Sequence, residues 1–234
     1  MDIESIDVAI LAGGLGTRLR DVLPAAPKVL APVNGRPFLA HLLDRLAAQG
    51  ARRVVLCLGY RAQDVTDYLA ANSFAPLATH SVVEPEPLGT GGAVAFARPW
   101  LASDPVMVLN GDTFVEADLN QFLRSHRASG AEASILCAHV PDAGRYGKIE
   151  IDSHDRLVRF EEKGAAGPAW INAGFYLFGS RAMDRIGALP KGSLERDVLE
   201  KMPPGSIHAF RADGRFLDIG TPATLALAPE VLPS

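Results

Sequence analysis

The sequence has little cysteine, no long apolar run and no excess of basic residues. Its only two cysteines in 234 residues, Cys57 and Cys137, are too few for a disulfide framework. Both lie in apolar, strand-like runs, so we expect two buried free thiols. Lys and Arg total 23 against 27 Asp and Glu, which gives a net charge of −4. Without basic blocks, the chain is a poor candidate for binding nucleic acid.

The sequence also carries no signal for a membrane or for export. No apolar run approaches the ~18 residues of a membrane-spanning helix. The chain begins Met-Asp-Ile-Glu, which is acidic where a signal peptide is basic. We therefore expect a cytoplasmic protein without a membrane partner. The oligomeric state stays open, a homo-oligomer included.

Short apolar runs alternate with helix-period segments as far as about residue 130. Residues 6–11 form the first apolar run, and residues 37–49 carry an apolar stripe with helical spacing. This alternation is typical of an α/β protein with a mainly parallel sheet. The glycine-rich residues 89–92 are predicted as a loop that leads into a short helix near 92–97. Beyond residue 130 the strand-like runs follow one another with few helices between, one of them predicted over residues 193–202. We therefore predict one domain, residues 1–234, in which a first half (about 1–130) continues into a more antiparallel second half (about 131–234). Two histidines on helical segments, His41 and His126, are predicted to be exposed.

A glycine-rich loop follows the first predicted strand directly and reads Gly13-Gly14-Leu15-Gly16-Thr17-Arg18. Such a loop lets a ligand approach the backbone and directs N–H groups at phosphate. In an open α/β sheet, ligands bind at this carboxyl end of the strand. The loop is neither a Rossmann fingerprint, because position 19 is Leu, nor a Walker loop, and alone it is equally compatible with an ordinary turn. Arg18 and Lys28 add two cations here, which suits a triphosphate.

Two further strand-like runs lead into aspartates. Asp112 follows the run 106–109 in the sequence Asn-Gly-Asp, and Asp218 lies at the end of 215–219. Two carboxylates at strand ends can share one Mg²⁺, which prefers few carboxylates together with phosphate oxygens. Each aspartate alone could equally be a helix N-cap.

Together these motifs resemble the sugar-1-phosphate nucleotidyltransferases. The family signature Gly-Gly-x-Gly-Thr-Arg-Leu, followed by Pro-Lys-x-Leu, stands here at residues 13–19 and 27–30, with Val29 where many members carry proline. The resemblance covers nearly the whole chain, because further blocks match in order at 87–92, 110–112, 146–147, 160–163, 171–176 and 217–222. It implies a Rossmann-like, three-layer α/β/α fold with a mixed, mainly parallel sheet. It also implies the reaction of a nucleoside triphosphate with a sugar 1-phosphate to give an NDP-sugar and pyrophosphate.

Within this family the chain looks most similar to the short bacterial guanylyltransferases of D-glycero-α-D-manno-heptose 1-phosphate. The blocks that carry this similarity are 86–93, 109–114, 145–147 and 160–163. The resemblance implies GTP and a sugar 1-phosphate as substrates, Mg²⁺ as cofactor, and a place in bacterial surface polysaccharide synthesis (capsule or lipopolysaccharide). Mannose-1-phosphate guanylyltransferases and N-acetylmuramate-1-phosphate uridylyltransferases are near alternatives.

The resemblance also implies roles for individual residues. The expected catalytic residues are Arg18, Lys28 and Asp112, and the expected Mg²⁺ ligands are Asp112 and Asp218. The expected nucleotide site comprises Leu11, Ala12, Gly13, Gly14, Gly16, Thr17, Arg18, Lys28, Glu84, Gly89, Thr90 and Asp112. The expected sugar-phosphate site comprises Gly147, Glu162, Lys163 and Asn172.

Glu84 is the residue expected to recognise the base of the nucleotide. A carboxylate can accept the N1–H and N2–H₂ of guanine as a pair, and Glu84 directly follows the predicted strand 79–83. Glu86, two residues on, is the alternative.

Two other classes of function fit the sequence less well. A catalytically silent, regulatory homologue typically lacks the loop arginine, the lysine or the metal aspartate, and all of them are present here. A glycosyltransferase commonly has an Asp-x-Asp motif, whereas the corresponding strand here ends in Asn110-Gly111-Asp112.

Overall fold

The apolar runs of the sequence form the strands of an α/β protein. The computed structural model describes residues 2–19, 21–23, 26–161, 164 and 166–232. The strands in this part are β1 (Asp7–Leu11), β2 (Pro32–Val33), β3 (Arg36–Pro37), β4 (Arg53–Leu58), β5 (Ala78–Val83), β6 (Val106–Asn110), β7 (Thr113–Val115), β8 (Ala133–Val140), β9 (Ile149–Ile151), β10 (Leu157–Phe160), β11 (Ala169–Phe178), β12 (Ile207–Ala212) and β13 (Phe216–Asp218). The α-helices are α1 (Phe38–Ala48), α2 (Ala62–Ala71), α3 (Gly89–Ala97), α4 (Leu119–Ser129), α5 (Ser180–Gly187), α6 (Pro222–Ala226) and α7 (Ala228–Val231). Short 3₁₀ turns lie at Ile3–Ser5, Thr17–Leu19, Lys28–Leu30, Arg98–Trp100 and Leu199–Lys201, and a π-helical turn lies at Leu194–Val198.

Seven strands form the central sheet in the order β12-β8-β11-β6-β1-β4-β5. Neighbouring strands are parallel except around β11, which runs antiparallel to both β6 and β8. The prediction of a mixed, mainly parallel sheet is therefore confirmed. Strands from both halves of the chain take part, because β11 and β6 pair directly.

Apolar helices cover both faces of this sheet. On one face Ile10 packs in a cluster with Leu43 of α1 and Phe122 of α4. On the other face Ala9 shares a cluster with Val94 of α3 and Ile186 of α5. Successive residues of β1 thus point to opposite faces, as the geometry of a strand requires. The predicted three-layer arrangement is confirmed.

The two cysteines and the two histidines named above are all buried. Burial raises the pKa of both thiols, Cys57 and Cys137, and confirms the prediction of buried free cysteines. The prediction of exposed histidines is wrong. His41 Nε2 lies 3.1 Å from the carbonyl oxygen of Val33, and His126 Nδ1 lies 2.7 Å from Ser134 Oγ. Each hydrogen bond satisfies one ring nitrogen and allows the ring to be buried.

Two helical segments differ from the sequence prediction. The glycine-rich residues 89–92, predicted as a loop before a helix, form the first turn of α3. The N–H of Gly91 donates to the carbonyl of Gly192 at 2.8 Å, and a Cβ at Gly89 would lie 2.5 Å from that oxygen. The close backbone approach therefore requires glycine. Residues 193–202, predicted as one helix, form the π-helical turn and a 3₁₀ turn instead.

The parallel strands bring the predicted site together at one edge of the sheet. β1, β4, β5 and β6 all end at this edge, which is where ligands bind in open α/β sheets. The antiparallel β11 begins at the same edge, so Asn172 lies beyond the Phe175–Leu109 pair toward the carboxyl end of β6. Among the described residues, no helix has the length and apolar character to cross a bilayer.

Candidate active site

A cavity of about 400 Å³ opens at the carboxyl edge of the sheet. All twelve residues of the predicted nucleotide site line it, from Leu11 in β1 to Asp112 after β6. Six lining residues were not predicted: Leu15, Val29, Pro87, Ala93, Asn110 and Gly220. Ala93 lies one helical turn after Gly89. If residues 89–92 were predicted as helical, helical spacing would also predict that Ala93 lines the cavity.

The neighbouring strand ends anchor the start of the glycine-rich loop. The N–H of Ala12 donates to the carbonyl of Cys57 at 2.9 Å, and the carbonyl of Gly13 accepts from the N–H of Tyr60 at 3.2 Å. Among the described residues, no atom outside its two chain neighbours lies within 4 Å of a Cβ built at Gly14, and Gly16 has a left-handed φ of 57°. The loop therefore combines a fixed start with open backbone beside the cavity, which is the arrangement that binds phosphate through N–H groups.

A lysine and an aspartate form an ion pair at the base of the cavity. Lys28 Nζ contacts Asp112 Oδ2, and the two side chains are 13% and 36% exposed. Lys28 begins the 3₁₀ turn Lys28–Leu30, which places its ammonium group opposite the end of β6. The cation and the carboxylate that were predicted from separate motifs are thus direct neighbours.

The second predicted carboxylate lies on the adjacent strand. β13 pairs with β7, and the N–H of Ile219 donates to the carbonyl of Asp112 at 2.9 Å. The Asp218 carboxylate accepts hydrogen bonds from the Tyr146 hydroxyl and, at 2.7 Å, from the N–H of Gly220. Burial and the neighbouring Asp218 carboxylate raise the pKa of Tyr146, so its hydroxyl stays a donor.

The donor set at these two strand ends fits Mg²⁺. Among the described residues there is no group of three or more histidine, cysteine or acidic side chains that could hold a metal. Mg²⁺ is commonly held by only one or two carboxylates, with water and substrate phosphates as its other ligands. Asp112 and Asp218, beside a loop suited to phosphate, match that pattern, whereas a site made only of protein ligands would not.

Glu84 forms part of the cavity wall, and Glu86 does not. Glu84 Oε2 accepts from the N–H of Leu88 at 3.2 Å, and its other oxygen, Oε1, lies close to the backbone of Gly13. Burial raises the pKa of Glu84, and the Leu88 N–H partly opposes that shift. Glu86 is exposed and lies 3.8 Å from Lys191. The geometry therefore favours Glu84 of the two predicted candidates.

Two of the predicted sugar-phosphate residues, Gly147 and Asn172, lie outside the lining of this cavity. An antiparallel bridge between Lys148 and Ile171 places Gly147 beside Asn172. The N–H of Glu161 donates to the carbonyl of Lys148 at 2.8 Å, so β10 ends next to this pair. The remaining two residues, Glu162 and Lys163, lie outside the described part of the chain.

The fold and this site define a class of protein. A glycine-rich loop after β1, two cations and two strand-end carboxylates form a site suited to transferring a phosphorus-containing group of a nucleotide. The comparison with known families agrees. The model of the family described as "Nucleotidyl transferase" matches residues 8–230, and the chain belongs to this family.

Individual relatives cover most of the chain. It is 37% identical over 226 residues to a mannose-1-phosphate guanylyltransferase of Mycobacterium tuberculosis, spanning 95% of this chain but 63% of that relative. It is 33% identical to a D-glycero-α-D-manno-heptose 1-phosphate guanylyltransferase of Aneurinibacillus thermoaerophilus, spanning 93% of this chain and 94% of the relative. The crystal structure of HddC from Yersinia pseudotuberculosis complexed with GMP-PN superposes with a TM-score of 0.87 at 36% identity, over 96% of this chain and 98% of that one.

Proposed function

We propose that this chain is a guanylyltransferase that joins GTP to a sugar 1-phosphate, giving a GDP-sugar and pyrophosphate. The observation that carries the proposal is the cavity in which the glycine-rich loop, Arg18, Lys28, Asp112 and Glu84 meet. The relatives support the nucleotide, since both named above are guanylyltransferases. We propose D-glycero-α-D-manno-heptose 1-phosphate as the acceptor, because the chain matches the heptose enzyme over 94% of that enzyme's length.

In the proposed reaction the sugar supplies the nucleophile. A phosphate oxygen of the sugar 1-phosphate attacks the α-phosphorus of GTP, the bond from that phosphorus to the bridging oxygen breaks, and pyrophosphate leaves. This displacement needs reactants in line and neutralisation of the growing charge rather than a protein nucleophile. Backbone N–H groups of residues 13–17 and the Arg18 guanidinium would hold the β- and γ-phosphates. Lys28 would move from Asp112 to the α-phosphate and stabilise charge during transfer.

We propose Asp112 and Asp218 as the ligands of Mg²⁺. The bound ion would supply charge neutralisation on the phosphates. The residues around it have separate tasks: the Tyr146 hydroxyl and the Gly220 N–H hold the Asp218 carboxylate in place.

Glu84 is proposed to select the base. One of its oxygens already accepts from Leu88, but an ionised carboxylate has about four lone-pair sites, enough for two further donors. Guanine offers two adjacent donors, N1–H and N2–H₂. Uracil offers one N3–H between two carbonyls that a carboxylate would repel. We therefore assign the preference for guanine to Glu84.

The acceptor would bind on the other side of Asp112. Gly147 and Asn172 are neighbours there through the Lys148–Ile171 bridge, and a glycine lets a sugar ring lie close to the backbone. Lys163 is proposed to bind the acceptor phosphate, and Glu162 is proposed to accept hydrogen bonds from sugar hydroxyls.

A substrate matrix tests the proposal. GTP, UTP and dTTP are each combined with heptose, mannose and N-acetylmuramate 1-phosphates in the presence of Mg²⁺, and pyrophosphate release is measured. We expect turnover with GTP and the heptose 1-phosphate. A mannose preference would support the second candidate acceptor, which the 37% identical mycobacterial relative favours. A preference for UTP, or no release with any pair, would overturn the proposal.

A further inference from the structure

A chain of hydrogen-bonding side chains connects the nucleotide side of the cavity with the acceptor side. It comprises Thr90, Ser193, Glu195, Tyr176 and Asn172, and we call it the Glu195 bridge. Thr90 and Asn172, at its two ends, are expected ligand-binding residues. The three residues between them have no expected role in the site. The bridge lies on the face of the sheet that α3 and α5 cover, where Tyr176 and Val94 share one apolar cluster.

Tyr176 fixes the orientation of Asn172. The Tyr176 side chain is fully buried, and its hydroxyl accepts from Asn172 Nδ2 at 3.0 Å and donates to Glu195 Oε1 at 2.8 Å. Burial and the Glu195 carboxylate raise the pKa of Tyr176 far above its ordinary value, so the hydroxyl stays protonated. Asn172 Oδ1 accepts from the N–H of Gly174 at 2.9 Å. Both ends of the amide are held, which leaves one N–H and one lone pair for a ligand.

An irregularity in β11 brings Asn172 and Tyr176 into contact. The register of β11 against β8 shifts between Asn172 and Tyr176. Gly174, in between, has a φ of 72° and packs against the side chain of Asn110, which lines the cavity. Bulges of this kind redirect side chains next to functional sites. Here the shift places the Asn172 amide within hydrogen-bond distance of the Tyr176 hydroxyl.

Glu195 connects Tyr176 to the nucleotide side. Its Oε2 accepts from Ser193 Oγ at 2.8 Å and lies 3.5 Å from Thr90 Oγ1. Thr90 Oγ1 accepts from the N–H of Leu194 at 2.9 Å, so the single hydroxyl hydrogen of Thr90 is left to donate to Glu195. The chain that leads into Glu195 is also joined to the start of α3 through its backbone, because the N–H of Gly192 donates to the carbonyl of Leu88 at 2.8 Å. A π-helical turn, a feature often found at functional sites, begins at Leu194.

We propose that Glu195 and Tyr176 are positioning residues that couple the two substrates. The nucleotide would contact Thr90. The Thr90 hydroxyl contacts the Glu195 carboxylate, which accepts from the Tyr176 hydroxyl, which in turn orients Asn172 for the sugar. The inference rests on the proposed function. Its consequence is that bound nucleotide increases the affinity for sugar 1-phosphate.

The first test replaces Tyr176 by phenylalanine. Tyr176→Phe keeps the ring and removes the hydroxyl, so Asn172 loses one of its two fixed contacts. We expect KM for the sugar 1-phosphate to rise about fivefold, the size of one neutral hydrogen bond. The dissociation constant of GTP, measured without sugar, should stay within about twofold. Tyr68→Phe on α2 is the matched control, because it removes a tyrosine hydroxyl away from the bridge.

The second test measures the coupling itself. The dissociation constant of the sugar 1-phosphate is determined with and without a GTP analogue that cannot react. We expect the analogue to tighten sugar binding in the wild type, and Tyr176→Phe and Glu195→Ala to reduce that tightening toward none. Glu195→Gln keeps an acceptor for Tyr176, and the Ser193 and Thr90 hydroxyls can rotate to meet its amide, so it should retain most of the coupling.

The outcomes separate the inference from the proposed function. If the wild type releases no pyrophosphate from GTP and any sugar 1-phosphate, the proposed function fails and the inference fails with it. If the wild type is active but Tyr176→Phe behaves like Tyr68→Phe, the inference alone is wrong. Equal weakening of GTP and sugar binding in both Glu195 variants, with a lower urea midpoint, would show a purely structural role and would also overturn it. If Tyr176→Phe does not fold, Glu195→Ala carries the test, with Glu195→Gln as its matched control.

Discussion

His126 makes the protein sensitive to mild acid. The ring is buried on α4, where Nδ1 lies 2.7 Å from Ser134 Oγ. Burial, with a smaller contribution from the nearby His208, lowers the pKa of His126 to about 4 from an ordinary value of 6.5. The folded protein therefore resists protonation at a position that the unfolded chain protonates readily.

The sign and size of the effect follow from linkage. Because the folded pKa lies below the unfolded one, the unfolded state binds more protons between pH 6.5 and 4, and stability falls as the pH falls through this window. A pKa that falls from 6.5 in the unfolded chain to about 4 in the folded one corresponds to about 3 kcal/mol, of which about 2 kcal/mol is reached near pH 5. This is a large part of the ~5–15 kcal/mol that stabilises a typical domain.

Urea unfolding from pH 7.5 to 4.5 measures this contribution. His126→Gln removes the titrating group and leaves an amide that can hydrogen-bond to Ser134. We expect the wild type to lose more stability than this variant as the pH falls, by about 2–3 kcal/mol at pH 4.5. His154→Gln, in the exposed turn between β9 and β10, is the matched control and should follow the wild type. Parallel curves for the wild type and His126→Gln would refute the reasoning.

Four further predictions concern the proposed active site. Asp112→Asn and Asp218→Asn should each remove most turnover at limiting Mg²⁺ and leave the chain folded, because the amide keeps the shape but loses the charge; near-wild-type turnover in either would contradict the metal assignment. Lys28→Ala should lower kcat more than it raises KM for GTP, since a contact that strengthens during transfer acts on the chemical step; a change in KM alone would indicate plain binding. Glu84→Gln should shrink the GTP preference over UTP, expected at about 1–3 kcal/mol, without altering Mg²⁺ dependence, and an unmoved base preference would refute the assignment. Lys163→Ala should raise KM for the sugar 1-phosphate far more than KM for GTP, and the reverse pattern would place the residue on the wrong substrate.

Most of the cavity lining could be predicted because its determinants are local. Residues 13–18 begin two positions after the end of β1, and Asp112 lies two positions after the end of β6. Parallel strands bring such ends together without any knowledge of side-chain packing. Lys28 lies in a separate motif, yet it reaches Asp112 from a single 3₁₀ turn.

The acceptor side and the buried polar groups could not be predicted, because they depend on contacts between distant segments of the chain. Tyr176 reaches Glu195 only because β11 changes register and a π-helical turn starts at Leu194. Helical spacing predicts His126 at the surface, because it cannot show that Ser134, on a neighbouring strand, forms a hydrogen bond with the ring. The glycines of residues 89–92 predict a loop because glycine disfavours a helix, whereas contact with Gly192 stabilises a helical turn here.

The position of β11 has a consequence for how the chain folds. β11 fills the place between β6 and β8, and the Phe175–Leu109 pair closes a long loop of chain. Contacts of this kind form late, because the entropy of loop closure must be overcome before any stabilisation is gained. Until then β6 is an apolar strand with one unpaired edge, the kind of surface that pairs with other chains and aggregates. During synthesis the first 130 residues would therefore stay incompletely folded until β11 is made. A fragment that ends at about residue 130 should accumulate as insoluble protein rather than as a nucleotide-binding unit.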